Sequence, residues 1–304
     1  MKILLSGDWH IRETSPVNRC DDFKQALLKK LNYIFKIAEK EKIQYILQPG
    51  DFFDAADRVS YSMLAQWGRF FAITHRDFKI LTVLGQHDLQ NHNLTDGNIP
   101  SRVLEAIESL HIMTVDPFIL YPEPFTQVHI YGASWNADIP IIKDPEALNI
   151  LLIHKMFVKD KAIWEGQIDY TVGSSFLDQH KFDLVVSGDN HQKFICRDAG
   201  SILVNAGSLM RTAKNQNEHR PAVFIYDTTT HKVKEVRIPI KPFGEVFDIE
   251  RQQSKERVEA ELDELIEVFE SEYTPSLDFA NNLAHLRSMA DANVNRFFEE
   301  ALHE

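Results

Sequence analysis

The chain of 304 residues contains only two cysteines, Cys20 and Cys196, which lie far apart and in no spacing typical of a metal site. A disulfide framework and a cysteine-rich zinc module are therefore excluded. The sequence has no apolar run near the ~20 residues that a membrane-spanning helix needs. The apolar residues after Met1 end at once in a polar turn, which argues against a secretory signal. These absences favour a cytoplasmic protein that makes no contact with a membrane.

An excess of positive charge is also lacking, because the net charge is −12. The acidity is uneven: the segment from residue 245 onwards carries 16 acidic and 5 basic side chains, and residues 1–244 are nearly balanced. Bound divalent cations would make the first segment positive, since some of its carboxylates would then be ligands. An anionic substrate is therefore compatible with this composition.

Short apolar runs rich in branched residues alternate with helical patterns. The runs have the length and composition of buried strands. Amphipathic periodicity predicts helices over 23–39 and 62–76, and a third from Ser101, the predicted N-cap, to Leu110. The later segments are richer in strands. This order favours an α/β fold with a two-sheet β-sandwich flanked by helices over one doubly wound sheet.

A segment with two prolines and a glycine, residues 239–244, predicts a domain boundary. We therefore expect a main domain at 1–244 and a short, mostly helical region at 245–304. Residues 254–270 have one apolar face in that region. An apolar helix face has to cover a core of its own or a partner.

Polar residues able to hold a metal ion follow five of the strand patterns. Each motif alone has an ordinary explanation, such as a turn carboxylate or a hydrogen-bonded core histidine. Together they supply three carboxylates, three imidazoles and one amide, which suit two divalent ions that share a bridging carboxylate. These groups belong to Asp8, Asp51, Asp189, His10, His154, His191 and Gln86.

This set of motifs resembles the calcineurin-like metallophosphoesterase superfamily, whose segments D-x-H, GD, GNH[DE], a lone H and G-H-x-H each follow a strand. The segments that match are Gly7-Asp8-Trp9-His10, Gly50-Asp51, Gly85-Gln86-His87-Asp88, His154 and Gly188-Asp189-Asn190-His191. Within the superfamily the chain is most similar to the DNA-repair exonuclease branch, the nuclease subunit of SbcCD-type complexes and its phage relatives. The resemblance covers about residues 1 to 245.

The resemblance implies two divalent metal ions, with Mn²⁺ favoured and Mg²⁺ as the other candidate. It implies three ligands for each ion and one ligand that both ions share. The ligands implied are Asp8, His10 and His191 for the first metal, Gln86, His154 and Asp189 for the second, and Asp51 as the bridge.

The same resemblance implies that His87 stabilises the transition state or protonates the departing sugar oxygen, and that Asp88 orients this imidazole. Three arginines near the motifs, Arg12, Arg58 and Arg211, are candidates for contacts to substrate phosphates.

The chain departs from the superfamily pattern at two positions and from the repair-nuclease branch at a third. Gln86 replaces an asparagine, and Asp189 replaces the first histidine of G-H-x-H. Both remain competent oxygen ligands, so the second metal site is predicted to be harder and more anionic, which favours Mn²⁺ or Mg²⁺ over Zn²⁺. Asp54 stands where the repair nucleases commonly have a histidine, which leaves the exonuclease polarity open.

The leading hypothesis is a metal-dependent DNA nuclease that acts in DNA repair, recombination or replication with an SMC-like coiled-coil ATPase. A homodimer formed through the aromatic helix around Trp67 is a further hypothesis, although packing of this helix on its own sheet is favoured. Two alternatives stay open at this point. The first is a phosphatase or small-molecule phosphodiesterase of the same superfamily, and the second is a non-catalytic scaffold with the same fold.

Overall fold

The computed structural model describes residues 1–16, 19–74, 78–94, 97–122, 127–213 and 216–248, with residues 284, 287 and 288. The chain divides into two compact units, Met1–Pro16 with Asp21–Lys241, and Val17–Cys20 with Pro242–Glu304. In the second unit Phe243 stacks on Phe247 with ring centroids 4.4 Å apart. The helices predicted for the C-terminal region lie outside the described residues, so the proposed domain boundary stays a prediction.

The strands of the first unit form two mixed sheets of six strands and one two-stranded ribbon. In chain order the strands are β1 (Lys2–Leu5), β2 (Tyr45–Gln48), β3 (Lys79–Thr82), β4 (His111–Ile112), β5 (Phe118–Leu120), β6 (Val128–Ala133), β7 (Leu148–His154), β8 (Phe157–Val158), β9 (Thr171–Val172), β10 (Leu184–Gly188), β11 (Phe194–Asp198), β12 (Ser201–Asn205), β13 (Ala222–Asp227) and β14 (Lys232–Arg237).

Sheet 1 has the order β14-β13-β1-β2-β3-β4, and sheet 2 has the order β11-β12-β10-β7-β6-β5. The strands β1 to β4 run parallel, and β13 and β14 continue the sheet antiparallel. In sheet 2 the four central strands are parallel, and both edge strands are antiparallel. The two-sheet architecture predicted from the sequence is therefore confirmed.

Four α-helices flank these sheets in the described part of the chain. They are α1 (Phe23–Lys40), α2 (Tyr61–Thr74), α3 (Pro100–Ala106) and α4 (Gly173–His180). Asp22 caps α1 by accepting a hydrogen bond from the Gln25 amide. None of the helices in the described segments is long and apolar enough to cross a membrane.

The predicted N-cap of α3 is wrong. Ile99 occupies that position, and Ser101 lies buried inside the helix. Pro100 opens the helix because its fixed φ already fits the first helical position, where no amide donor is needed.

Three apolar clusters produce a layered order of helices, sheet, sheet and helix. Alternate residues of the sheet 1 strands face α1, α2 and α3 on one side, as Leu4 and Ile46 do. Their neighbours Ile3 and Leu47 face sheet 2. The other face of sheet 2 packs against α4. The aromatic residues of α2 are used within the chain, since Trp67 and Phe71 are buried in the first cluster.

Candidate metal centre

The candidate centre lies where the parallel strands of both sheets end. The carboxyl ends of parallel strands emerge at one edge of a sheet, so the polar residues that follow them are brought together. These residues are Asp8 and His10 after β1, Asp51 after β2, Gln86, His87 and Asp88 after β3, His154 at the end of β7, and Asp189 and His191 after β10.

The turns that carry these residues are sharply bent. His10, Asp51 and Asp189 adopt positive φ values of 45°, 49° and 77°. A backbone of this kind costs on the order of 1 kcal/mol or more in a residue other than glycine and concentrates at functional sites. At Gly85 a Cβ atom would overlap the Asp51 carboxylate, so only glycine allows this close approach.

A first group of ligand atoms comes from Asp8, His10 and His191. Their ligand atoms all lie within 4.8 Å of one another. The Nε2 atoms of His10 and His191 are 3.0 Å apart, and the His191 Nε2 is 3.9 Å from the Asp8 Oδ2. These are the three residues that the family resemblance implies for the first metal.

A second group surrounds the Oδ2 atom of Asp51. This atom lies 3.5 Å from the Nε2 of His154, 3.8 Å from that of His10 and 4.0 Å from that of His87. One ligand atom from each of His10, Asp51 and His87 also lies within 4.8 Å of the other two. The position of Asp51 between His10 and His154 is the one expected of a ligand shared by two ions.

Five atoms of the centre are buried and have no hydrogen-bond partner among the described residues. They are Asp8 Oδ1, His10 Nδ1, Asp51 Oδ2, Gln86 Oε1 and His154 Nε2. A buried polar atom without a partner costs about 1–3 kcal/mol, and a charged one costs more. Coordination of cations would remove this cost, and the donors are oxygen and imidazole nitrogen. The residues present therefore fit a pair of divalent ions.

The electrostatics of the centre agree with this fit. Burial, followed by repulsion from Asp51 and Asp189, raises the pKa of Asp8 well above its ordinary value. Burial and repulsion from Asp88 raise the pKa of Asp51 in the same way. Burial lowers the pKa values of His10 and His191, which keeps both imidazoles in the neutral form that binds metals. A cation would relieve the repulsion among the carboxylates.

The ring of His154 is held in one tautomer. Its Nδ1 lies 2.6 Å from the carbonyl oxygen of Pro49. A carbonyl can only accept a hydrogen bond, so the proton is on Nδ1 and the lone pair is on Nε2. Partners of this kind orient metal-binding histidines and fix their tautomer.

Asp88 is buried and binds backbone amides. Its oxygens accept hydrogen bonds from Phe52 N at 3.1 Å, Phe53 N at 2.9 Å and Gly85 N at 3.0 Å. These contacts tie the turn after β2 to the turn after β3. No hydrogen bond joins Asp88 to the His87 ring among the described residues, so the catalytic role of Asp88 stays a prediction, and its observed contacts are structural.

The two residues that depart from the superfamily pattern contact each other. The Nε2 of Gln86 donates to the Oδ1 of Asp189 at 3.0 Å, and the Asp189 amide donates to the Oδ2 of Asp8 at 3.0 Å. The sequence identified both positions but gave no sign that they are bonded.

The loop after β12 binds the backbone of two residues of the first group. The sequence did not reveal which side chains hold this loop in place. Ser208 N donates to the His191 carbonyl at 3.2 Å, and Leu209 N donates to the Asp8 carbonyl at 2.8 Å. The carbonyl groups of these two loop residues accept hydrogen bonds from His219 Nε2 and Lys30 Nζ, each at 2.7 Å. Neither His219 nor Lys30 belongs to a local motif, so only the tertiary structure reveals them.

The three predicted phosphate-binding arginines occupy different environments. Arg12 forms a 3.2 Å ion pair with Asp54, whose other oxygen is 3.9 Å from the Nδ1 of His10. Arg58 is exposed. Arg211 is only 3% exposed and donates to the Lys241 carbonyl at 2.7 Å. Of the three, Arg12 is the one that the structure brings beside the metal group.

With this geometry in place, the family can be stated. The family model of the calcineurin-like phosphoesterases matches residues 1–193, which is more than half of the chain, so the chain belongs to that family. Members of this family typically bind divalent metal ions, and this membership implies a metal-dependent phosphoesterase. A search of curated proteins finds no match.

Several solved structures match the chain at low sequence identity and low TM-score. A hypothetical protein from Pyrococcus horikoshii is 13% identical, with a TM-score of 0.41, and the match covers 88% of this chain and 97% of that chain. GAP50, described as the anchor in the inner membrane complex of Plasmodium, is 15% identical, with a TM-score of 0.41 and coverages of 83% and 93%. The nuclease MPE of Pseudomonas putida is 13% identical, with a TM-score of 0.34 and coverages of 77% and 87%.

Proposed function

We propose that the chain is a binuclear metal-dependent DNA nuclease that hydrolyses phosphodiester bonds, by exonuclease action on duplex ends and endonuclease action on single strands. The observation that supports the proposal best is the environment of Asp51. Its buried Oδ2 has no hydrogen-bond partner among the described residues and lies 3.5–4.0 Å from three imidazole nitrogens. A paired-cation phosphoesterase requires such an oxygen.

Under this proposal Asp8, His10 and His191 hold the first cation, Gln86, His154 and Asp189 hold the second, and Asp51 touches both. When bound, Mn²⁺ or Mg²⁺ would supply positive charge at the phosphate and lower the pKa of a reacting water. The chain's own residues supply the geometry: the Pro49 carbonyl fixes the His154 ring, and Asp88 fixes the two turns that carry Asp51 and His87.

His87 is the candidate group for proton transfer. Its side chain is 45% exposed, its Nε2 is 4.0 Å from the Asp51 Oδ2, and its backbone amide donates to the Asp51 Oδ1 at 3.1 Å. Water adds its oxygen to phosphorus and loses a proton to the solvent, and the bond from phosphorus to the sugar oxygen breaks. His87 gives a proton to that departing oxygen and then takes up a proton from the solvent. Because the His87 imidazole is partly exposed, it can contact a DNA strand bound at the surface of the centre.

DNA is proposed as the substrate because the chain resembles the repair-exonuclease branch and because Arg12 lies beside the His10 edge of the centre. The partner that the resemblance implies is an SMC-like ATPase, bound through residues 245–304. A homodimer is proposed in addition. These partners are tested by co-purification and by light scattering of the full chain, with and without the ATPase.

The central experiment compares the wild-type chain with His87→Ala in Mn²⁺. The substrates are labelled duplex DNA, single-stranded DNA, bis(p-nitrophenyl) phosphate and p-nitrophenyl phosphate. DNA cleavage should fall about 100- to 10,000-fold in the variant. The rate of hydrolysis of bis(p-nitrophenyl) phosphate should fall less, because p-nitrophenolate is a stable anion that leaves without a proton. His111→Ala, an exposed histidine on β4, is the matched control and should cleave like the wild type.

The same assay separates the alternatives. Hydrolysis of the monoester alone would contradict the nuclease and support a phosphatase. Hydrolysis of the small diester without DNA cleavage would support a small-molecule phosphodiesterase. Failure to cleave any of the four substrates, in a chain that still binds metal, would support a scaffold.

A further inference from the structure

We propose that Gln86 and Asp189 act as a matched pair that makes the second metal position selective for hard cations such as Mn²⁺ over Zn²⁺. The inference uses the cation binding assumed in the proposed function, but it does not depend on DNA as the substrate. Its basis is the 3.0 Å hydrogen bond from the Gln86 amide nitrogen to the Asp189 carboxylate.

This bond joins the two halves of the centre. Gln86 lies in the short 3₁₀ helix Gln86–Asp88 after β3, on the sheet 1 side. Asp189 follows β10, a strand of sheet 2. A change of either side chain therefore alters a contact between residues that different sheets position. The pair can set the spacing of the ligands as well as their identity.

The bond also fixes which atom of Gln86 is available as a ligand. A carboxylate can only accept a hydrogen bond, so the amide group of Gln86 must face Asp189 with its nitrogen. The Oε1 atom is then directed elsewhere, and it is buried without a hydrogen-bond partner among the described residues. A side-chain oxygen held in this way is a ready ligand for a cation.

Asp189 adds negative charge at a position where a histidine would be neutral. Its charge contributes to raising the pKa values of Asp8 and Asp51, and it opposes the lowering of the His154 pKa by burial. Asp189 is also anchored, because its amide donates to the Asp8 carboxylate at 3.0 Å. Two oxygen donors and one imidazole at the second position favour Mn²⁺ or Mg²⁺, whereas Zn²⁺ favours nitrogen and sulfur.

The two side chains have to change together. Asparagine at position 86 is one methylene shorter, so its amide would not reach Asp189 and the carboxylate would lose its partner. Histidine at position 189 would leave the Gln86 amide without its carboxylate acceptor. The double variant would pair an asparagine with a histidine, the combination typical of the superfamily, and would form a nitrogen-richer position.

The test measures cation binding to the full chain by calorimetry and by electron paramagnetic resonance of Mn²⁺ pairs. Gln86→Asn and Asp189→His should each weaken the second Mn²⁺ about 10- to 100-fold. The double variant should weaken Mn²⁺ by less than the product of the two single effects and should bind Zn²⁺ more tightly than the wild type. Asp189→Asn keeps an acceptor for Gln86 and removes the charge, so it should retain the geometry and lose part of the Mn²⁺ preference.

Matched controls are available on α4, where Asp178→His and Gln179→Asn repeat the same substitutions at exposed positions. Unfolding midpoints measured without metal show whether each variant folds. The proposal is overturned if the single effects simply multiply, or if Asp189→His leaves the choice between Mn²⁺ and Zn²⁺ unchanged. The wild type could bind two Mn²⁺ ions, with effects of the two substitutions that do not multiply, and still fail to cleave DNA. That result would contradict the proposed nuclease function and would support the proposed role of the Gln86–Asp189 pair.

Discussion

The two metal positions proposed for the centre differ in the chemistry of their ligands. The first, around His10 and His191, has two imidazoles whose Nε2 atoms are 3.0 Å apart. The second, as proposed, would use the Gln86 oxygen, the Asp189 carboxylate and a single imidazole from His154. The first position matches the family pattern, and the second carries both ligand departures. If the proposed ligands are right, half of a binuclear centre can change its cation preference while the other half keeps the family arrangement.

The largest expected effect comes from Asp51, which is proposed as the ligand that both positions share. Asp51→Asn removes the charge and leaves an amide in the same volume, so neither position keeps its full anionic character. We expect the rate of phosphoester hydrolysis to fall about 1,000-fold or more, which is the size of effect that the loss of a single catalytic group can have. The measurement is kcat for the best substrate at saturating Mn²⁺. Asp178→Asn on α4 is the control, and a loss under tenfold would contradict a shared ligand.

The same substitution should have the opposite effect on stability when metal is removed. Burial and repulsion raise the pKa of Asp51, so the folded state favours the protonated form. Stability from this group is present at low pH and is lost as the pH rises through the raised pKa, so ionised Asp51 destabilises the metal-free fold at neutral pH. With EDTA, Asp51→Asn should unfold at the same or a higher temperature than the wild type.

With Mn²⁺ the order should reverse, because a ligand at 100 times its Kd adds about 2.7 kcal/mol to the stability of the state that binds it. Differential scanning fluorimetry with and without metal checks this crossing. A wild type that is the more stable chain in EDTA and gains nothing from Mn²⁺ would contradict the fit of the centre to cations.

A smaller effect is expected at Arg12. Its ion pair with Asp54, which also lies near His10, places it beside the first position. If Arg12 contacts a DNA phosphate, Arg12→Gln should raise KM for DNA and leave kcat near the wild-type value. The slope of log affinity against log salt should fall by about 1. Arg237→Gln, at an exposed site on β14, is the control. An unchanged salt slope would remove Arg12 from the DNA contact surface.

The contrast between the two positions also shows what the sequence could reveal. The strand patterns and the polar residues after them sufficed to predict the two sheets, because a buried strand has a clear composition and parallel strands end at one edge. The α3 cap was wrong because Pro100 dominates that end of the helix. The Gln86–Asp189 bond could not be predicted, because it joins residues 103 positions apart through loops of two sheets. Lys30 and His219 were missed for the same reason.

The smallest effect concerns His219, which supports the loop beside the first position. Burial, opposed by its hydrogen bond to the Ser208 carbonyl, lowers the pKa of His219 from 6.5 to about 4. The unfolded chain takes up a proton near pH 6.5, whereas the folded chain does so only near pH 4. Stability from this group is therefore present above about pH 6.5 and is lost as the pH falls towards about 4.

His219→Gln keeps a donor for the Ser208 carbonyl and removes this titration. In EDTA, the unfolding midpoint of the variant should fall less steeply between pH 6.5 and pH 4 than that of the wild type. His111→Gln, an exposed histidine, should follow the wild type, and equal slopes for all three chains would contradict a buried neutral His219. Because Ser208 and Leu209 bind the backbone of His191 and Asp8, any loss of Mn²⁺ affinity in this variant should be confined to the first position. Among the described residues, no hydrogen bond joins the Gln86–Asp189 pair to that loop, so Mn²⁺ at the second position should bind as in the wild type.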